Sequence, residues 1–236
     1  MRPCIGDNLL FFGDLPLSVK ITDPQQPAKA CVIWMHGLGA DGNDMAGLAA
    51  ELPLAVPVRH VFMDAPIRPV TLNNNMSMRA WYDIVGMKLT DREDRAGILA
   101  SENLIRTVIE QQCAAGFKPS QIFLAGFSQG AAMALRTGLH LSTPLAGVIA
   151  LSGYLPLSAE CKPALDLSTP IWIAAGQFDP IVLPGWTKHA FDWFVSQGFK
   201  NVHWHEYPME HTLCLEEIRD LAHFLSTQIL SFGVKQ

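Results

Sequence analysis

Gly126-Phe127-Ser128-Gln129-Gly130 carries the clearest chemistry in the chain. A serine hydroxyl is a poor nucleophile at neutral pH, and a G-x-S-x-G turn is one setting that improves it. Gln121-Ile122-Phe123-Leu124-Ala125 before it reads as a strand, and Gly130-Ala131-Ala132-Met133-Ala134-Leu135 after it reads as a helix of small residues. A sharp strand-turn-helix lifts the serine Oγ above a sheet, with glycines at the flanks because side chains there would collide. The helix start also aims backbone N–H groups and the positive end of its dipole at the space beside Ser128. A serine that merely caps a helix would match the residue type but not the strand in front of it.

Such a serine needs a base, and the base needs a partner that fixes its tautomer. In this arrangement the partners follow in the order Asp, then His. Asp179 stands just beyond the strand-like run Ile171 to Ala175, at the carboxyl edge where open sheets place their chemistry. Asp166 precedes that run and so falls at the wrong edge, and Asp192 lies inside a helical pattern. An Asp-Pro turn residue is the plain alternative for Asp179. Of the histidines that follow, His189 and His223 lie in helical segments and His203 and His205 lie within a strand. His211 alone falls in the loop after the last strand, which makes it the best base. His203 and His205 share one strand face, but no third ligand stands at a recognisable spacing, so no metal is expected.

Attack on a carbonyl creates an oxyanion that needs two N–H donors. One should be the backbone of Gln129. The second is assigned to Leu38, in Trp34-Met35-His36-Gly37-Leu38-Gly39, where a buried strand breaks into an H-G-x-G turn. His36 reads as a buried, hydrogen-bonded structural histidine, because the motif uses backbone groups.

The elements that must hold these groups alternate along the chain. Strand patterns run from Leu17 to Ile21, Ala30 to Met35, His60 to Met63, Gln121 to Ala125, Gly147 to Leu151, Ile171 to Ala175 and Val202 to Tyr207. Several are apolar on both alternations, as in strands buried on two faces. Helical periods lie between them at about Asn43 to Glu51, Ala96 to Ala115, Gln129 to His140, Trp186 to Gln197 and Leu215 to Leu230. The expected fold is α/β, with a mostly parallel central sheet and helices on both faces, in one domain over residues 1–236. The stretch from Asp64 to Met78, with its prolines and the run Asn73-Asn74-Asn75, fits neither period and predicts a long surface loop.

Composition narrows the function classes. The 236 residues carry 17 Lys plus Arg against 22 Asp plus Glu, a net charge of −5, so no broad basic surface draws in nucleic acid. No apolar run approaches the roughly 18 to 20 residues that cross a bilayer. The apolar Leu9 to Phe12 sits between Asp7 and Asp14, with no continuous h-region, so no signal peptide is read. The five cysteines, Cys4, Cys31, Cys113, Cys161 and Cys214, form no C-x-x-C pair and read as free thiols of a reducing, cytoplasmic compartment, Cys31 and Cys113 as buried small hydrophobes.

At these residues the sequence resembles the carboxylesterase and acyl-protein thioesterase family of α/β-hydrolases, over roughly Leu10 to Leu230. Beyond G-F-S-Q-G, the resemblance rests on Met35-His36-Gly37-Leu38-Gly39-Ala40-Asp41-Gly42, Met78-Arg79-Ala80-Trp81-Tyr82-Asp83-Ile84, Leu151-Ser152-Gly153-Tyr154-Leu155-Pro156 and Tyr207-Pro208-Met209. It implies a serine hydrolase of carboxylic esters or thioesters, with Ser128, Asp179 and His211 as triad and Leu38 with Gln129 as oxyanion donors. It further implies an α/β-hydrolase fold, no cofactor, and a homodimer as a common assembly. One departure is Glu210, where related bacterial esterases usually have a small residue before the histidine. A carboxylate turned toward His211 would favour the imidazolium, and one turned to solvent, the preferred reading, would do little.

The leading reading is an esterase for short to medium acyl chains. A second is an acyl-protein thioesterase or lysophospholipase acting on longer chains of an acylated protein or a lysophospholipid. A non-catalytic binding module on the same scaffold is the remote third. Candidate substrate-binding residues are Leu72, Met76, Trp81, Tyr154, Ile181 and Val182, in the apolar segments along the carboxyl edge. The gaps between strands are filled by ordinary helices and one loop, so no large lid domain is expected.

Overall fold

The computed structural model describes residues 5–12, 15–86, 88 and 92–233. Cys4 lies outside them. Among the described residues ten strands and five α-helices follow in chain order: β1 (Ile5–Phe12), β2 (Leu15–Thr22), β3 (Ala30–Met35), α1 (Gly42–Glu51), β4 (Val58–Met63), β5 (Ile67–Val70), β6 (Met76–Arg79), α2 (Arg95–Ala114), β7 (Ile122–Phe127), α3 (Gln129–Leu139), β8 (Gly147–Leu151), β9 (Ile171–Gly176), α4 (Pro184–Ser196), β10 (Val202–Tyr207) and α5 (Leu215–Leu230). Eight strands form one sheet in the order β1-β2-β4-β3-β7-β8-β9-β10. From β4 to β10 every neighbouring pair is parallel, and β1 and β2 extend the other edge antiparallel.

The period-2 pattern divides each central strand between two cores. On one face Cys31, Ile33 and Met35 of β3 join Ile122 and Leu124 of β7 beneath Ile98 and Ile105 of α2, the small residues of α3, and Ala190 and Phe194 of α4. On the other, Val32 and Trp34 join Phe123 and Trp172 beneath Met45 and Leu48 of α1 and Leu221, Phe224 and Leu225 of α5. Helices therefore cover both faces, as the apolar runs require.

Two elements depart from expectation. The sequence pattern marks no strand before Leu17, yet β1 pairs with β2 along its full length, from Ile5 opposite Thr22 to Phe12 opposite Leu15. Gly6, Asp7 and Asn8 are poor strand formers, and an edge strand tolerates them because it pairs on one side only. The expected loop from Asp64 to Met78 is a hairpin, β5 against β6, joined by a single 3-10 turn over Thr71–Asn73. Asn74 and Asn75 take φ of 54° and 59°, a left-handed conformation that asparagine tolerates, and this reverses the chain where the pattern suggested irregularity. Of the two cysteines read as buried, Cys31 is, and burial pushes its thiol up to about 12. Cys113 is half-buried. Among the described residues no helix is long and apolar enough to cross a membrane.

The sheet order sets where chemistry can sit. From β3 the chain crosses to β4 on one side, while β7 lies on the other, so the carboxyl ends of β3 and β7 open a crevice at the switch point. The turn after β3 and the turn after β7 face each other across it.

Candidate active site

Ser128 follows β7 with φ 56° and ψ −117°, a conformation that costs a non-glycine residue free energy and is held by its surroundings. Its N–H donates to the Leu151 carbonyl at 2.9 Å, and its own carbonyl accepts from Ala132 at 3.1 Å. It occupies the cap of α3 without a side-chain capping bond, which leaves Oγ for another partner. That partner is His211 Nε2, at 2.9 Å. His211 Nδ1 lies 2.6 Å from Asp179 Oδ2. The Asp179 side chain is fully buried, and its other oxygen accepts from the N–H groups of Ile181 at 2.8 Å and Val182 at 2.9 Å. With Asp179 Oδ2 as acceptor, Nδ1 carries the hydrogen and Nε2 is the lone-pair nitrogen facing the serine hydroxyl.

The loops that deliver Asp179 and His211 are laced together. Gln177 N–H donates to the Tyr207 carbonyl at 2.8 Å and Phe178 N–H to the Met209 carbonyl at 3.0 Å. A Cβ on Gly176 would come within 2.5 Å of the Glu210 carbonyl oxygen, so only glycine lets the two loops approach. Glu210 itself is exposed and makes no ion pair among the described residues. The rival acids are elsewhere: Asp166 binds Ser168, and Asp192 lies on α4.

His36 is fully buried. Its Nε2 accepts from Ala65 N–H at 2.9 Å, and Nδ1 donates to the Gly37 carbonyl at 2.6 Å, a neutral tautomer that burial favours by pulling its pKa down. These bonds hold the start of the turn, and Gly39, at φ 76°, donates to the Arg79 carbonyl at 2.9 Å to hold its end. Between them lies Leu38. No hydrogen bond from its N–H to a described residue is present.

Two cavities meet at Ser128. One, of about 540 Å³, is walled by Leu38, Leu72, Tyr82, Ile84, Tyr154, Ile181, Val182, Leu183 and Trp186, with Lys88 at its margin. The other, of about 450 Å³, is walled by Gly37, Leu38, Ala40, Asp44, Met45, Phe127, Ile181, His211, Thr212 and Leu213. Of the candidate substrate-binding residues, Leu72, Tyr154, Ile181 and Val182 line the first cavity. Trp81 and Met76 line neither. Trp81 is completely buried beneath the site, and Met76 is 65% exposed on the outer strand of the hairpin. Tyr82 and Trp186 were not legible as walls: Tyr82 alternates with Trp81 in an irregular segment, and Trp186 looks like an ordinary residue of an amphipathic helix. His203 and His205 are engaged otherwise, His203 with Asn201 and His205 stacked on Trp172, and no cluster of three or more potential metal ligands occurs among the described residues.

A model of the phospholipase/carboxylesterase family matches residues 18–229. The chain belongs to this family. It is 38% identical over 237 residues to acyl-protein thioesterase 1 of Mycosarcoma maydis, across 90% of this chain and 98% of that protein. To acyl-protein thioesterase 1 of Yarrowia lipolytica it is 36% identical over 216 residues, across 86% and 95%. The crystal structure of Zea mays acyl-protein thioesterase 2 matches with a TM-score of 0.78 at 25% identity, covering 89% of this chain and 98% of that one. The family reading from the motifs and the α/β-hydrolase fold are thus both shown, and the family's chemistry makes the chain a serine hydrolase.

A buried acid begins the helix that follows the His211 loop. Glu217, in the first turn of α5, is 0% exposed, and neither carboxylate oxygen has full hydrogen-bond geometry to a described donor. Burial pushes its carboxyl up to about 8, the Cys214 backbone pulling weakly the other way. Between an ordinary 4.5 and about 8 the native state keeps a proton that the unfolded chain releases. Stability should therefore fall as pH rises through that window. Thermal unfolding across it is expected to show this slope, and Glu217→Gln should remove it; an undiminished slope in the variant would assign it to other groups.

Proposed function

We propose that Ser128, His211 and Asp179 act as a catalytic triad that cleaves carboxylic esters or thioesters through an acyl-enzyme. The observation that carries the reading is the unbroken hydrogen-bond chain from Asp179 Oδ2 through both nitrogens of His211 to Ser128 Oγ. Ser128 Oγ attacks the acyl carbon as its proton passes to His211 Nε2, and the carbonyl electron pair moves onto oxygen. The N–H groups of Leu38 and Gln129 stabilise that oxyanion. His211 then returns the proton to the departing alcohol or thiol, and water repeats the sequence to release the acid. Asp179 stays ionised throughout and holds the imidazole in place.

The larger cavity takes the acyl chain, because its walls are mostly apolar, and the smaller takes the leaving group. Short to medium acyl chains fit this open 540 Å³ cavity. A second reading, an acyl-protein thioesterase, is favoured by the names of the relatives at 36% and 38% identity. Each methylene buried in the acyl cavity contributes up to ~0.8 kcal/mol, so kcat/KM should climb by up to a few-fold per carbon until the cavity is full. A series of soluble p-nitrophenyl esters and matched thioesters, run beside an S-acylated peptide, tests both readings. A plateau at medium length supports the esterase; continued gain to long chains with preference for the acylated peptide supports the thioesterase. No large inserted domain covers the crevice among the described residues, so rates should show no jump at the micellar threshold. Such a jump would mean that a lid exists.

A further inference from the structure

The two N–H groups assigned to the oxyanion belong to separate elements, the turn after β3 and the start of α3. An oxyanion hole works only if its donors are fixed where charge develops. One buried segment is bonded to both. Trp81 N–H donates to Gln129 Oε1 at 2.8 Å, and Gln129 Nε2 donates to the Tyr82 carbonyl at 2.7 Å, so the Gln129 amide is clamped at both ends. The indole Nε1–H of Trp81 donates to the His36 carbonyl at 2.9 Å, two residues before Leu38. The Trp81 carbonyl in turn accepts from Ser101 Oγ of α2. Every one of these groups is buried, where a lost bond leaves an unsatisfied partner and the segment has little freedom to relax.

We infer that Trp81 and the side chain of Gln129 are positioning residues, a buried clamp that sets the spacing between the Leu38 and Gln129 N–H donors. Trp81 touches no substrate; it acts through the His36 carbonyl and the Gln129 amide. The inference rests on the proposed triad and oxyanion hole and adds what holds the hole to size.

Trp81→Phe removes the indole donor and part of the buried ring, and leaves the backbone N–H that holds Gln129. A misplaced catalytic group costs up to about 100-fold, so kcat should fall about 10- to 100-fold while KM stays within about three-fold. A merely structural role would not move the second readout. A trifluoromethyl ketone with the acyl chain of a good substrate bonds to Ser128 Oγ, its carbonyl pair becoming an oxyanion and the serine proton passing to His211. Its affinity should weaken in parallel with kcat/KM, whereas the matching methyl ketone, which stays a carbonyl, should bind as before. Gln129→Met removes the amide at similar length and carries the same expectations if Trp81→Phe fails to fold. A soluble variant with kcat within about two-fold of the parent, or with unaltered trifluoromethyl ketone affinity, would overturn the inference. Ser128→Ala in the same assays separates the two levels: if it stays active the triad reading fails, and if it is inactive while the clamp variants are normal, only the clamp fails.

Discussion

Ser128→Ala should lower turnover of a p-nitrophenyl ester by about 10³- to 10⁶-fold and leave the thermal midpoint close to that of the parent. The change removes one oxygen whose hydrogen bond among the described residues is to His211 Nε2, at 2.9 Å. The backbone at φ 56° belongs to the turn whatever the side chain, and alanine is no worse there than serine. His211→Ala should cost a comparable factor, because nucleophile and base act as one unit on a single proton. Asp179→Asn should also be severe, since an amide at Oδ2 can turn its N–H₂ toward Nδ1 and impose the other tautomer. Steady-state rates and labelling by a fluorophosphonate read the effect directly. A folded Ser128→Ala protein hydrolysing at near-parent rate would end the mechanism.

Gly130→Ala should damage the fold as well as the site. A Cβ at Gly130 would lie 2.1 Å from the Met35 carbonyl oxygen and 2.7 Å from that of His36, and these are backbone atoms with no rotamer to escape into. The first helical turn of α3 would have to move off the end of β3, carrying Ser128 away from Leu38. Overpacking of this kind costs about 1–3 kcal/mol or more, a large part of the stability of an ordinary domain. The expected result is a lowered denaturation midpoint together with lost activity. Gly47→Ala is the control. It sits on α1 with nothing within 4 Å of the added Cβ, and should be neutral or stabilising by about 0.5–1 kcal/mol. Equal midpoints for Gly130→Ala and the parent would show that β3 and α3 are not in the contact described.

These two expectations also mark what a sequence discloses. Continuous apolar runs such as Ala30 to Met35 and Ile171 to Ala175 announce strands because burial on two faces leaves no polar position in them. Ser128 and Asp179 follow such runs and His211 follows a more polar strand, and parallel strands bring all their carboxyl ends to one edge, so a shared site follows from chain order alone. Trp81 had no such signal. Its aromatic type and the motif around it suggested a pocket wall, whereas its partners are Gln129, 48 positions on, and His36, 45 positions back. Nothing periodic links those positions; the link exists only once β3 and β7 lie side by side. The hairpin β5–β6 was hidden for the opposite reason, since its strands are four residues each, half of them exposed, and too short for alternation to register.

Ser128, Leu38 and Ile181 border both cavities. On the proposed mechanism the first product leaves through the smaller cavity while the acyl chain still fills the larger one. The acyl-enzyme carbonyl is then reached through the space just vacated. Water arrives by that door, and so does any small alcohol, thiol or amine that fits beside Asp44 and Thr212. The partition between hydrolysis and acyl transfer is therefore governed by a 450 Å³ vestibule that the acyl chain never enters. Selectivity for the acyl group and selectivity for the acceptor are, in this architecture, separately adjustable.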